Sequence, residues 1–266
     1  MAGMNNTTWI HPPENLDLAI DRVDVWRIHL GLTTPSEDSL SADERQRPSR
    51  FHFDVDRDRY IAAHASLRGI LARYLQCEPH DLKFSANEYG KPFLIRSNDF
   101  SRSVKSATDP MGALRRVATT HDIEFNLSHS GDFALIAVTR GRKVGVDVEL
   151  IRADIELEDL ARRNFSLREV SELMSLPAEQ HARGFFNCWT RKEAYIKAQG
   201  LGLSLPLDSF DVSLGEPAAL NATRPDENES ARWSLHSLNV ESNYAAALAV
   251  EGNGLEIRCW DWVVDR

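Results

Sequence analysis

Residues 144–149 read Val-Gly-Val-Asp-Val-Glu, an alternation whose period of two belongs to a β-strand. Side chains at i and i+2 of a strand share a face, so Asp147 and Glu149 project together while Val146 and Val148 face the core. Two parallel carboxylates repel unless a cation or a proton lies between them. A hard divalent ion such as magnesium, shared with phosphate oxygens, is one resolution. An amphipathic edge strand with solvated acids fits the same six residues, so the hexapeptide leaves both readings open.

A second segment, residues 183–199, has helical periodicity and ends at Gly200, the residue type favoured just past a helix. Phe185, Trp189 and Ile196 form one apolar stripe, with Glu193 and Lys197, an i, i+4 pair, at its margin near Phe186. A helical Glu–Lys pair worth about 0.2–0.5 kcal/mol accounts for these two by itself. A capping box at Thr190-x-x-Glu193 is a further reading, but the stripe already begins at Phe185 and places Thr190 inside the helix. Residues 125–131, Phe-Asn-Leu-Ser-His-Ser-Gly, either turn the chain with self-bonded hydroxyls or present an imidazole and two hydroxyls to a phosphate. A Ser–His hydrolase lacks its Gly-x-Ser-x-Gly elbow here, and neither a Walker loop nor a dinucleotide fingerprint occurs.

Around these segments, strands are predicted at 26–30, 82–85, 133–139, 143–149, 210–214, 233–238, 244–250 and 256–263. Helices are predicted at 57–75 and 156–163, and another from Ser166, whose Ser-x-x-Glu has capping-box form. Arg140-Gly141-Arg142 predicts a hairpin-like link between the strands that flank it, and residues 88–92 a turn. Residues 96–122, polar and rich in Ser and Arg, read as a long surface loop. Twice a long helix feeds strands, once near Leu75 and once near Gln199, a rhythm that points to internal duplication.

A composition of 42% hydrophobic and 27% charged residues is that of a globular chain. The net charge of −9 opposes nucleic-acid binding, which needs a basic footprint. Arg45, Arg47, Arg50, Arg57 and Arg59 nevertheless cluster among aspartates, as a solvated face or a local anion site. Three widely spaced cysteines, Cys77, Cys188 and Cys259, fit neither a disulfide framework nor a zinc site. No apolar run approaches membrane-spanning length, and residues 1–13 lack the pattern of a secretory signal. The expectation is a soluble, cytoplasmic, reduced protein without membrane or nucleic-acid partners.

In chain order, Tyr89-Gly90-Lys91-Pro92, Asn126-Leu127-Ser128-His129-Ser130, the 144–149 strand and Trp189-Thr190-Arg191-Lys192-Glu193-Ala194-Tyr195-Ile196-Lys197 resemble the 4′-phosphopantetheinyl transferase superfamily. Its signature is a Gly-x-Asp strand followed at a set distance by Trp-x-x-Lys-Glu-Ala-x-x-Lys, and here 45 residues separate Asp147 from Glu193. The Gly-Leu-Ser-Leu-Pro-Leu-Asp-Ser-Phe run at 202–210 is similar to the surfactin-synthetase-activating (Sfp) type. Trp26-Arg27-Ile28 and Arg59-Tyr60-Ile61-Ala62-Ala63 are similar to its cyanobacterial-like branch.

The resemblance implies an α+β fold of α/β type, a pseudo-twofold monomer of two similar subdomains with the active site between them. Each subdomain would be a long helix packed on a small, largely antiparallel sheet. It implies an N-terminal half, 1–125, with nucleotide contacts, the basic cluster and the loop, and a C-terminal half, 126–266, with the metal and catalytic motifs. The implied activity moves the phosphopantetheine arm of coenzyme A onto a serine of an apo acyl or peptidyl carrier protein, releasing adenosine 3′,5′-bisphosphate. Such carriers serve fatty-acid, polyketide and non-ribosomal peptide biosynthesis.

By the same resemblance Asp147, Glu149 and Glu193 hold magnesium, manganese being an alternative, against the coenzyme A pyrophosphate. Glu193 is the general base, directly or through a metal-bound water. Lys192 and Lys197 supply positive charge to the pyrophosphate and the transition state. Ser128 and His129 lie near the 3′-phosphate and ribose, Lys91 contacts the nucleotide, and Arg59 is a phosphate contact, with Arg50 a looser match. Loop 96–122 exceeds the family's usual linker, and its deletion is expected to leave coenzyme A binding intact. A non-catalytic scaffold on this fold would lack the metal ligands. A magnesium-dependent hydrolase would release free phosphopantetheine without an acceptor.

Overall fold

The computed structural model describes residues 7–34, 36–46, 51–95, 122–152 and 154–263, Leu203 by its backbone alone. Its layering follows from strands with two apolar faces. Along β2 (Arg22–His29), Val23 and Val25 point one way and Asp24, Trp26 and Ile28 the other, all buried. Both faces therefore need cover.

On one face, α2 (Asp54–Leu75) lays Ala63, Leu67, Ile70 and Leu71 over Trp26, Ile28 and the Ile136 and Val138 side chains of β6 (Phe133–Arg140). On the other, Val23, Val25 and Leu135 meet a second sheet through Val144, Val146 and Val148 of β7 (Val144–Leu150) and Leu248 and Val250 of β11 (Tyr244–Glu251). Beyond that sheet α5 (His181–Gln199) packs on Ala245, Ala247 and Ala249. The layers thus run helix, sheet, sheet, helix.

The first sheet orders β1 (Trp9–Ile10), β12 (Glu256–Trp262), β2, β6 and β5 (Ile123–Ser130); the second orders β10 (Trp233–Ser237), β11 and β7. β12 runs parallel to β1 and β2, and the remaining pairs in both sheets are antiparallel. After each long helix comes a two-stranded ribbon, β3 (Phe84–Ala86) with β4 (Pro92–Leu94), then β8 (Phe210–Val212) with β9 (Leu220–Thr223). The short helices are α1 (Ala42–Gln46), α3 (Leu157–Asn164) and α4 (Leu167–Ser175), the last opened by the Ser166–Glu169 capping box.

The expected duplication is visible in the topology. Strand, long helix, ribbon and antiparallel pair recur, and the order β2-β6-β5 in one sheet repeats as β7-β11-β10 in the other. The halves interlock, since a division at residue 125 cuts β5 and β12 returns the end of the chain to the first sheet. The hairpin-like link expected at Arg140-Gly141-Arg142 is not formed. β6 is already bonded along both edges, by β2 and β5, and Gly141, at φ 64°, turns the chain into the other sheet. The loop expected at 96–122 lies, residue 122 apart, outside the described residues, as do Arg47 and Arg50. No helix among the described residues is long and apolar enough to cross a membrane.

Candidate active site

The site begins with a glycine. Gly145 faces α5, and a Cβ added there would stand 2.1 Å from the Ala194 carbonyl oxygen and 2.4 Å from the Ala198 nitrogen. Helix backbone can lie directly on strand backbone only where that side chain is missing. The close approach brings Lys197 onto Asp147, the next residue of β7 on the same face. Lys197 Nζ donates to Asp147 Oδ1 at 2.5 Å and to Ser128 Oγ at 2.9 Å, and Ser128 donates to the same Oδ1 at 2.8 Å. Asp147 is only 3% exposed, and its buried Oδ2 takes no hydrogen bond among the described residues. A buried oxygen left bare is costly.

The outer edge of β7 is met by side chains of β5. Asn126 Oδ1 accepts from Val146 N at 2.8 Å, Ser128 Oγ from Val148 N at 3.4 Å and Ser130 Oγ from Leu150 N at 3.1 Å. Ser130 also donates to Glu149 Oε2 at 2.8 Å. Residues 125–130 are therefore strand and not a turn, and the Ser128 and Ser130 hydroxyls donate to the Asp147 and Glu149 carboxylates. Asn126 and Ser130 stood in the motif, but the sequence reading did not give them this bracing of β7. Their signal was the period-two spacing with Ser128.

Partial burial, and next the charge of Asp147, push the Glu193 carboxyl above the usual range; Lys197 opposes and Glu149 adds. Glu149 is raised by burial and then by Asp147, with Ser130, Lys197 and Arg152 pulling the other way. The charge of Asp147 thus acts on both Glu149 and Glu193. Among the described residues no three His, Cys, Asp or Glu groups are placed so that together they could hold a metal ion. The ammonium of Lys197 serves as counter-charge. The bare Asp147 oxygen, the mutual repulsion and an all-oxygen donor set fit a magnesium ion.

His129 points to the other face of β5 from Ser128. Its ring reaches solvent but is crowded; partial desolvation, then the charges of His64, Lys197 and Arg59, hold it below the usual histidine value against Asp56. Arg59 binds Asp132 at 2.5 Å in the turn after β5. Arg59 and Lys197 thus supply positive charge around a His129 ring held toward its neutral form, with His64 from α2, which no motif had marked, beside them.

Two expected ligands lie elsewhere. Lys192 is fully buried on the far side of α5, where it pairs with Glu169 at 2.8 Å and donates to the Leu207 and Phe210 carbonyls at 2.7 Å each. One step along a helix turns a side chain by roughly 100°, so Lys192 diverges from Glu193 into the C-terminal core. It supplies no charge to the site. Lys91 donates to the Val144 and Ala198 carbonyls at 3.1 Å each, and burial holds its pKa down at about 8, with Glu124 opposing.

Residues 143–249 match the 4′-phosphopantetheinyl transferase superfamily, and residues 34–141 match the 4′-phosphopantetheinyl transferase N-terminal family. The chain belongs to the 4′-phosphopantetheinyl transferase superfamily, as an Sfp-type enzyme of the holo-carrier-protein synthase class. It is similar to 4′-phosphopantetheinyl transferase HetI of Nostoc sp., 39% identical over 260 residues, which cover 96% of this chain and 98% of that one. It is also similar to 4′-phosphopantetheinyl transferase Sfp of Bacillus subtilis, 31% identical over 79% of this chain and 81% of that one.

Proposed function

We propose that the protein transfers the 4′-phosphopantetheine arm of coenzyme A to a serine hydroxyl of an apo acyl or peptidyl carrier protein, releasing adenosine 3′,5′-bisphosphate. The observation that carries this reading is the buried, half-bonded Asp147 carboxylate, set beside two carboxyls of raised pKa and under Lys197. Membership of the superfamily and similarity to HetI and Sfp support the reaction class.

Asp147, Glu149 and Glu193 would hold magnesium, or manganese in its place. Bound there, the ion supplies positive charge that neutralises the pyrophosphate as the leaving group departs. The serine Oγ forms a bond to the pantetheine-side phosphorus, and the bond from that phosphorus to the bridging oxygen breaks. Its electron pair leaves with adenosine 3′,5′-bisphosphate. Glu193 takes the hydroxyl proton, the role of a positioned general base.

Lys197 offers its ammonium to the pyrophosphate as it is cleaved, a preorganised charge of the kind that stabilises phosphoryl transfer. Arg59 supplies the positive charge for the nucleotide's phosphate, with the His129 and His64 rings beside it as hydrogen-bonding groups. Ser128 and Ser130 hold the acids in place. Ser128 thus acts on Asp147 more directly than on the nucleotide.

The test is labelling of an apo-carrier by tagged coenzyme A in magnesium. Glu193→Gln and Asp147→Ala are expected to reduce labelling by about 10²-fold or more while circular dichroism shows intact folding. Full activity in both variants would overturn the site. Release of free phosphopantetheine without a carrier would identify a hydrolase instead.

A further inference from the structure

We infer that Asn87 and Lys91 form a clamp from the N-terminal half that fixes the end of α5 on the start of β7, making Lys91 a positioning residue for the transfer. This rests on the functional reading above. The turn between β3 and β4 is self-braced: Asn87 Oδ1 accepts from Tyr89 N at 3.0 Å and Lys91 N at 2.9 Å, and Gly90 takes φ 88°. So organised, it presents two donors outward. Asn87 Nδ2 donates to the Gly200 carbonyl at 2.7 Å, and Lys91 Nζ to the Ala198 and Val144 carbonyls.

The last carbonyls of a helix have no partner within it, and a cation suits that end of the helix dipole. Here both are supplied from the other half of the molecule. The contact is close, since a Cβ at Gly200 would lie 3.0 Å from Lys91 Cδ and 3.3 Å from Asn87 Nδ2. Lys91 thereby ties two backbones where they cross at Gly145. Ala198 follows Lys197 directly, and Val144 stands three residues before Asp147. A slip at this joint shifts Lys197 and Glu193 relative to Asp147. Two of the three ammonium donors are engaged by these carbonyls.

The test compares Lys91→Met, Lys91→Arg and Asn87→Ala with the intact protein. Lys91→Met is expected to lower kcat about tenfold or more while KM for coenzyme A moves less than about twofold. It should also weaken Mn2+ binding by equilibrium titration and speed hydrogen exchange about tenfold at the amides of 198–200, with α2 unchanged. Lys91→Arg, which keeps donors at this place, should restore protection and part of kcat. A rise in KM for coenzyme A with kcat and exchange unaltered would make Lys91 a nucleotide ligand and overturn the clamp. Should Lys91→Met not fold, Asn87→Ala must show the same local exchange, and unaltered protection there would refute the clamp. Absence of transfer by the intact protein would defeat the functional reading alone, because exchange and Mn2+ binding are measured without turnover.

Discussion

Asp147 reaches its environment through a divided carboxylate. One oxygen is shared by Lys197 and Ser128, and the other is buried and bare among the described residues. Lys192 and Glu193 are adjacent in sequence but face opposite ways, one into the C-terminal core and one to the acids. Removing one member of a buried ion pair strands the other charge at a cost of about 3–5 kcal/mol. Lys192→Met is therefore predicted to drop the melting temperature sharply, at about 2–4 °C per kcal/mol for a chain of this size. The fraction still folded at low temperature should keep transfer within about threefold of normal. Unchanged melting with abolished transfer would return Lys192 to the catalytic set.

Asp24 titrates in the opposite sense to an ordinary surface acid. Burial raises its carboxyl to about 6, against the hydrogen bond from the Tyr74 hydroxyl and the charges of Arg22 and Arg258, which lower it. A raised folded pKa makes the protonated form the stabilising one. Its contribution is complete below the unfolded value and is lost as pH rises through about 6. The difference at neutral pH is on the order of 3 kcal/mol. Asp24→Asn, which stays neutral and can still accept from Tyr74, is predicted to flatten the pH dependence of unfolding between acid and neutral pH. An unaltered profile would assign that dependence to other groups.

At the scale of elements, the pairing of β7 with α5 depends on the small residues between them. Gly145→Ala places a methyl group 2.1 Å from the Ala194 oxygen, which the backbone cannot evade locally. Overpacking of this kind costs about 1–3 kcal/mol, and the helix carrying Glu193 and Lys197 must lift. The predicted result is loss of metal affinity and transfer with a modest fall in melting temperature. Near-normal kinetics would show that the close approach is not needed.

The elements themselves were largely legible, because period-two and period-3.6 patterns report which face of a strand or helix is apolar. They do not report the neighbour. Residues 125–130 spell a strand only once Asn126, Ser128 and Ser130 are seen to bond the β7 edge, twenty residues away. Gly141 suits a hairpin and a crossing between sheets equally well. Only the occupation of both β6 edges decides between them. Lys91 and Lys192 carried motif positions, but the partners that claim their amines are distant carbonyls and Glu169, which no local pattern announces.

At the scale of the whole molecule, the duplication explains why one site is acidic and its counterpart is not. Tyr74 on α2 bonds Asp24 on β2, and Lys197 on α5 bonds Asp147 on β7, at the same 50-residue separation. Where the C-terminal half places Glu149 and Glu193, the same offsets in the N-terminal half fall on Trp26 and Ile70, both fully buried. One copy keeps three carboxylates; the other is filled with an apolar core around a single one. The N-terminal half then contributes cations, the β5 ladder and the Asn87–Lys91 turn to the site of its partner.

The most direct measurement is the intact mass of an apo carrier protein incubated with this protein, coenzyme A and magnesium. The predicted outcome is a gain of about 340 Da on the carrier serine, abolished by chelation and by Asp147→Ala. A panel of apo-carriers with no gain, or a gain that survives both treatments, would contradict transfer through the Asp147 site.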